Sequence, residues 1–277
     1  MKKLHDKNIN RELFEEIQSD CEKCCGLCCV ALYFSKVDGF PKDKKAGMPC
    51  LNLEQNFKCK VHNELKEKQL RGCLSYDCFG AGQKVTQDIF GNRNWRNMVD
   101  EKDKIFAVYL KVFELHQMLA YLLEASLLYV GKEMQDDIRG LIDENMEITK
   151  KRPEEIVVYS LEDYHNRVSV ILKKITRNIE NLYVKDKINK RESLVGKKFC
   201  GKNVKGMNAS MQLLLAANFK GCDLEGVNLL GADVRDMNVC DADLRECVFL
   251  TQMQLNAMCG NENTQLPWFL KTPSSWE

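Results

Sequence analysis

From Phe199 to Phe249 every fifth residue is apolar, and few folds tolerate such a period. The centres are Phe199, Val204, Ala209, Leu214, Phe219, Leu224, Leu229, Val234, Val239, Leu244 and Phe249. All eleven hold the register; chance alone would produce such a run about once in ten thousand preselected windows. Helices repeat every ~3.6 residues and strands every ~2, so an inward residue at a period of five implies a coil that turns a corner once per repeat. Four repeats then close one square turn. The residue before the centre is Asn or Asp in eight of the eleven repeats (Asn203, Asn208, Asn218, Asp223, Asn228, Asp233, Asn238, Asp243). Two before the centre lie small or medium residues from Ala217 onward: Cys222, Val227, Ala232, Met237, Ala242 and Cys247. A narrow interior needs such a second inward set, which places Cys222 and Cys247 in the core as small hydrophobes.

Segments such as Ala217-Asn218-Phe219, Ala232-Asp233-Val234 and Ala242-Asp243-Leu244 resemble the A-(D/N)-L-x-x pattern of pentapeptide-repeat proteins. Phe249 to Ala257 resembles a common ending of such arrays. The resemblance implies a right-handed quadrilateral β-helix of just under three turns, with Leu255 to Trp276 as a capping tail. Lys197, Lys202 and Leu213 depart from the pattern and suggest an irregular N-terminal cap. Some members of that family mimic DNA and bind topoisomerases. Here, between Lys197 and Thr251, seven basic residues balance seven acidic ones, and a neutral surface does not imitate a polyanion. That reading therefore ranks last.

The rest of the chain divides by composition. Residues 1–96 are rich in cysteine and glycine, and their short apolar pieces read as loops held by something other than a long helix. Helical pieces are predicted at Arg11 to Ser19 and Val61 to Leu70. Residues 97–184 turn helical. One apolar stripe runs Ile105, Tyr109, Val112, Phe113, His116, Leu119, Leu123, Leu127; a second helix fits Met134 to Lys150; a third begins after Pro153 or at Ser160 and continues to Leu182. These three helices make a small bundle. Residues 185–196 read as a polar, basic linker, 197–254 as the repeats and 255–277 as the cap. The fold class expected is therefore multidomain α+β: a cysteine-rich metal module, a helical bundle and the β-helix.

Five cysteines crowd into nine residues at Cys21, Cys24, Cys25, Cys28 and Cys29, and Cys50, Cys59, Cys73 and Cys78 follow. The charged N-terminus lacks the apolar core of a secretory signal, so a cytoplasmic protein with reduced thiols is expected, which favours metal over disulfides. Core thiols would be hard to place at this density in a loop-rich segment. Cys21 and Cys24 have chelating C-x2-C spacing, with Gly26 free to adopt a positive φ. Cys28 and Cys29 are adjacent, and in extended backbone adjacent side chains diverge, which suits two metals or a multi-iron cluster. With Cys50, Cys59, Cys73 and Cys78 the set reaches eight thiolates, with Cys25 and His62 as further candidates. Eight match two zinc sites of four cysteines each, or an iron-sulfur cluster with a zinc site or spare thiols.

The spacing C-x2-C-x3-CC followed by Pro49-Cys50, Phe57-Lys58-Cys59, Cys73 and Cys78 resembles a family of small bacterial proteins described as zinc- or iron-chelating, in which Cys25 would be extra. A similar pattern occurs in flagellin lysine methyltransferases. No glycine-rich nucleotide loop supports an enzyme here; Gly80 to Lys84 reads as a structural turn. A net charge of +1 gives no reason to expect nucleic acid as a partner. Lys111, Glu114, His116 and Glu124 interrupt the most apolar stretch, which argues against a membrane span. The expectation is a non-enzymatic, zinc-binding scaffold that meets another protein, or a second copy of itself, through the repeat surface. An iron-sulfur redox or protein-modifying enzyme is the alternative.

Overall fold

A computed structural model describes residues 11–183 and 193–276. The linker expected at 185–196 lies, for residues 185–192, outside the described residues. The chain forms two compact units. One comprises 11–123 and 136–168, the other 124–135, 169–183 and 193–276.

The first unit opens with α1 (Arg11–Glu16), a 3-10 turn at Cys21–Lys23, α2 (Leu27–Ala31), α3 (Arg71–Ser75) and α4 (Ala81–Gln83), which runs into a π-helical turn at Lys84–Ile89. Of the helical piece expected over Val61 to Leu70, only a 3-10 turn, His62–Glu64, forms. The long helices follow: α5 (Lys102–Leu127), α6 (Lys132–Thr149), α7 (Pro153–Val158) and α8 (Leu161–Leu182). Pro153 and Ser160 thus mark two successive helices rather than alternative starts of one, because Pro153 opens α7 at its first turn, where a missing N–H costs nothing. Ile105, Phe106, Val108, Tyr109 and Val112 of α5 share one buried cluster with Cys25, Leu27, Val30, Ala81, Val85, Phe90 and Trp95. The segment Val99–Leu127 is long and apolar enough to cross a membrane, yet 56% of its most apolar window is buried inside the protein.

His116 is buried in this unit, and its Nδ1 lies 2.7 Å from the Phe79 carbonyl. The carbonyl can only accept, so Nδ1 carries the proton.

In the second unit all eleven repeat centres are buried, as are Ala217, Cys222, Val227, Ala232, Met237, Ala242 and Cys247. The expectation of an α+β chain ending in a right-handed quadrilateral β-helix is nevertheless overturned. Among the described residues there is no β-strand and no sheet; the protein is mostly helical, and the repeats are a stack of turns. Parallel contacts are isolated bridges between residues one coil apart: Lys198 with Asn218, Asn218 with Asn238, and Asn238 with Cys259. A ladder needs consecutive paired residues. Here each bridging residue is flanked by turns, so one residue in five pairs and no strand can propagate.

The Asn and Asp residues explain the turns. Each of the eight accepts the backbone N–H two residues ahead, from Asn203 with Lys205 (3.2 Å) to Asp243 with Arg245 (3.0 Å). This is the Asx turn, in which a short side chain replaces a backbone acceptor. Two further features close the stack. The buried Glu124 carboxylate accepts the Phe249 N–H at 2.5 Å, and the Tyr183 ring lies against Gly206 and Gly226. α9 (Gln252–Asn256) follows, capped by Thr251.

A Cβ at Gly226 would run into the Tyr183 ring, whereas one at Gly221 meets nothing within 4 Å; both glycines have φ near +70° (+69° and +67°). Gly221→Ala is expected to cost about 1 kcal/mol of left-handed strain and Gly226→Ala about 1–3 kcal/mol more, from overpacking. Urea unfolding checks this, and a Tyr183→Ala background should erase the difference. Burial depresses His116 from 6.5 to about 4. The unfolded chain therefore binds a proton between pH 6.5 and 4 that the folded chain refuses. Stability should be full above pH 6.5 and decline by up to about 3 kcal/mol as pH falls to 4. Urea midpoints across that range should flatten in His116→Gln.

Candidate metal centre

The cysteines sit on short elements braced by their neighbours. Asp20 caps the turn at Cys21–Lys23, and Gly26, at φ +69°, precedes α2, which carries Cys28 and Cys29. A Cβ at Gly26 would be strained at this φ and would press on the Phe57 carbonyl oxygen at 3.2 Å as well as on Leu53 Cδ1, so glycine suits the close approach of this turn to the Leu53 to Phe57 loop. Cys50 is tied to α2 by its N–H to the Cys29 carbonyl (2.9 Å), and an antiparallel bridge between Leu53 and Cys59 closes the loop behind it. Cys73 lies on α3 and Cys78 immediately before α4.

All fourteen cysteines are free thiols. Among the described residues no three His, Cys, Asp or Glu side chains converge closely enough to hold an ion as they stand. What the fold does is bring the predicted cysteines into two neighbourhoods. The sulfurs of Cys24 and Cys78 flank Gly82, 2.7 and 3.7 Å from where its Cβ would be, and Cys24, Cys28 and Cys78 pack on the cluster around Leu27 and Val30. Cys50, Cys59 and Cys73 pack on a different cluster, made by Phe34, Phe40, Val61, Leu65 and Leu70. Cys28 and Cys29 meet at the seam, with sulfurs 3.9 Å apart.

The thiols feel one another. Burial pushes Cys21 up to about 11, with repulsion from Cys78 and Cys29 adding to it. Burial likewise raises Cys24 and Cys73 to about 12, the latter helped by Cys29, Cys50 and Cys59. Cys28, hydrogen-bonded to Cys29, holds its proton, and Cys29 is lowered by that bond and by the Lys44 ammonium. Against burial stands the Asn52 N–H, which donates to Cys50 Sγ (3.4 Å), and neighbouring backbone N–H groups also pull Cys24, Cys59 and Cys78 toward the thiolate. Ser19 Oγ adds a contact to Cys78 Sγ at 3.1 Å. Donors of this kind stabilise the thiolate, the form a metal binds.

Cys25 is different. It is buried in the core, its N–H donates to Thr86 Oγ1 (3.2 Å), Thr86 Oγ1 approaches its sulfur (3.4 Å), and Trp95 Nε1 donates to its carbonyl (2.9 Å). His62 is exposed on its 3-10 turn. Gly80 to Lys84, expected as a turn, instead opens α4 and its π-helical continuation, and Gln83 bridges the Gln18 carbonyl and the Asp20 N–H. Sequence reasoning missed Ser19, Lys44, Thr86 and Trp95 as partners of the cysteines. Only Lys44 lies near its partners, Cys29 and Cys50, along the chain; nothing local in the sequence marks the other three.

The model of the family described as pentapeptide repeats matches residues 216–249 in eight copies. An uncharacterized protein of Bacillus subtilis (strain 168), YybG, is 37% identical over 278 residues, covering 99% of this chain and 98% of its own length. The chain belongs to the same family as YybG. No solved structure matches.

The brace on Cys25 is testable. Thr86→Val keeps shape but removes the hydroxyl that serves Cys25 and the Gly82 carbonyl (2.8 Å). It should cost about 1–3 kcal/mol in urea unfolding, because a buried N–H is left without its acceptor.

Proposed function

We propose that the chain is a non-enzymatic binding protein, in which the eight cysteines Cys21, Cys24, Cys28, Cys29, Cys50, Cys59, Cys73 and Cys78 hold structural zinc and the repeats present a rigid surface to a protein partner. The observation that carries the metal reading is the gathering of the cysteines: Cys24, Cys28 and Cys78 pack on one apolar cluster, with the Cys24 and Cys78 sulfurs both against Gly82, and Cys50, Cys59 and Cys73 pack on another, where the Asn52 N–H donates to Cys50 Sγ (3.4 Å). Zinc fits an all-sulfur donor set, and its binding free energy would be folding free energy for a segment with so few elements of its own. Reduced thiols imply a reducing compartment, in keeping with a cytoplasmic protein.

The repeats suit a binding surface because their exposed side chains are held in a fixed grid. Arg235 and Arg245 are each locked to the aspartate two residues before them (2.6 Å), and Lys205 joins Glu225 (2.7 Å). Groups fixed in this way lose little freedom on meeting a partner.

Metal removal tests the proposal. Zinc should copurify with anaerobically prepared protein, and a strong chelator should expose the segment 19–80 to limited proteolysis and lower the helical circular dichroism signal while leaving the repeats protected. Unchanged digestion and circular dichroism after complete metal loss would overturn it.

A further inference from the structure

We infer that the eight cysteines form two separate four-thiolate centres, Cys21, Cys24, Cys28 and Cys78 in one and Cys29, Cys50, Cys59 and Cys73 in the other, each taking one thiophilic divalent cation of the zinc class. This rests on the metal reading above and adds the division of ligands. Chain order does not suggest it: the first centre skips from Cys28 to Cys78, and the second begins one residue after the first has paused.

The division follows the apolar clusters. Cys24, Cys28 and Cys78 pack on the cluster containing Leu27, Ala81 and Val85, while Cys50, Cys59 and Cys73 pack on that of Phe34, Phe40 and Leu65. α2 supplies the hinge between them. Successive helical residues point about 100° apart, so Cys28 and Cys29 leave the helix in different directions although their sulfurs are 3.9 Å apart. Cys29 belongs with the second cluster through its carbonyl, which receives the Cys50 N–H at 2.9 Å. Cys21 lies three residues before Cys24, the chelate spacing of a zinc knuckle.

The second set also has a donor and a cation at hand: the Asn52 N–H donates to Cys50 Sγ (3.4 Å), and the Lys44 ammonium is anchored on the loop between Cys29 and Cys50. Lys44 is held there by the carbonyls of Val30 (3.2 Å), Lys45 (3.1 Å) and Met48 (2.7 Å). Cys25 is left out because Thr86 and Trp95 fix its backbone and side chain in the core.

Full-length protein, purified anaerobically and loaded with zinc, should hold about two ions per chain, one for each four thiolates. Cys24→Ser with Cys78→Ser should leave about one. So should Cys59→Ser with Cys73→Ser, whereas Cys24→Ser with Cys73→Ser should leave none and Cys25→Ser should keep both. Cadmium-113 NMR of the unaltered chain needs no variant to fold, and should give two resonances in the all-thiolate range. A single resonance, loss of all metal in either same-set double variant, or iron with acid-labile sulfide would overturn the division while leaving cysteine-bound metal intact. Failure of the unaltered chain to bind zinc, cadmium or iron would instead sink the metal reading itself.

Discussion

Backbone N–H and C=O groups must be paired wherever water is excluded, and outside its helices this chain meets that demand without a strand among the described residues. In the repeats the pairing alternates. Phe199 donates to the Asn218 carbonyl of the next coil at 2.7 Å, Asn218 donates back to Lys197 at 2.8 Å, and the Asn218 side chain then takes the Lys220 N–H. Two of these three bonds cross to a neighbouring coil, so the stack needs a finish at its end. The Glu124 carboxylate at Phe249 N–H, where φ is +60°, supplies one. A carboxylate carried into the core is costly unless its oxygens are hydrogen-bonded, and it takes the Phe249 N–H, the counterpart of those that at Phe219 or Leu244 go to a carbonyl of the next coil.

In the cysteine-rich segment the same demand is met by single turns. Gly26, Gly39 and Gly80 adopt positive φ, and at Gly39 and Gly80 a side chain would strike the Gln69 and Glu16 carbonyls. Sulfur joins the accounting as an acceptor for backbone N–H groups. Thiols in such a place are caught between two tendencies: burial keeps the proton on, and the donors favour its loss. In the metal reading proposed above, a cation would resolve the conflict by taking the proton's place.

How far this could be read from the chain depends on the distance over which each pattern acts. The period of five was legible in full, since every centre and every Asn or Asp partner acts within its own turn or on the coil twenty residues away. The architecture inferred from it was still wrong in one respect. Inward periodicity fixes which side chains are buried, but a strand also needs neighbouring residues paired in sequence, and the turns forbid that. The α5 stripe was legible for the same local reason, down to the inward face of His116. The short elements around Val61 to Leu70 were not, because their packing comes from Phe34 and Phe40, far back in the chain.

Cys25 shows how distant contacts assign a cysteine to the core. In the sequence it is adjacent to Cys24 and three residues from Cys28, a further candidate that only the C-x2-C-x3-CC resemblance sets apart as extra. Its place in the core comes from Thr86, sixty-one residues away, and Trp95, seventy away. Thr86 spends its own proton on the Gly82 carbonyl at 2.8 Å, which also positions the glycine whose missing side chain leaves room for the Cys24 and Cys78 sulfurs. The contact that holds Cys25 in the core thus helps to shape the space in which the Cys24 and Cys78 sulfurs meet.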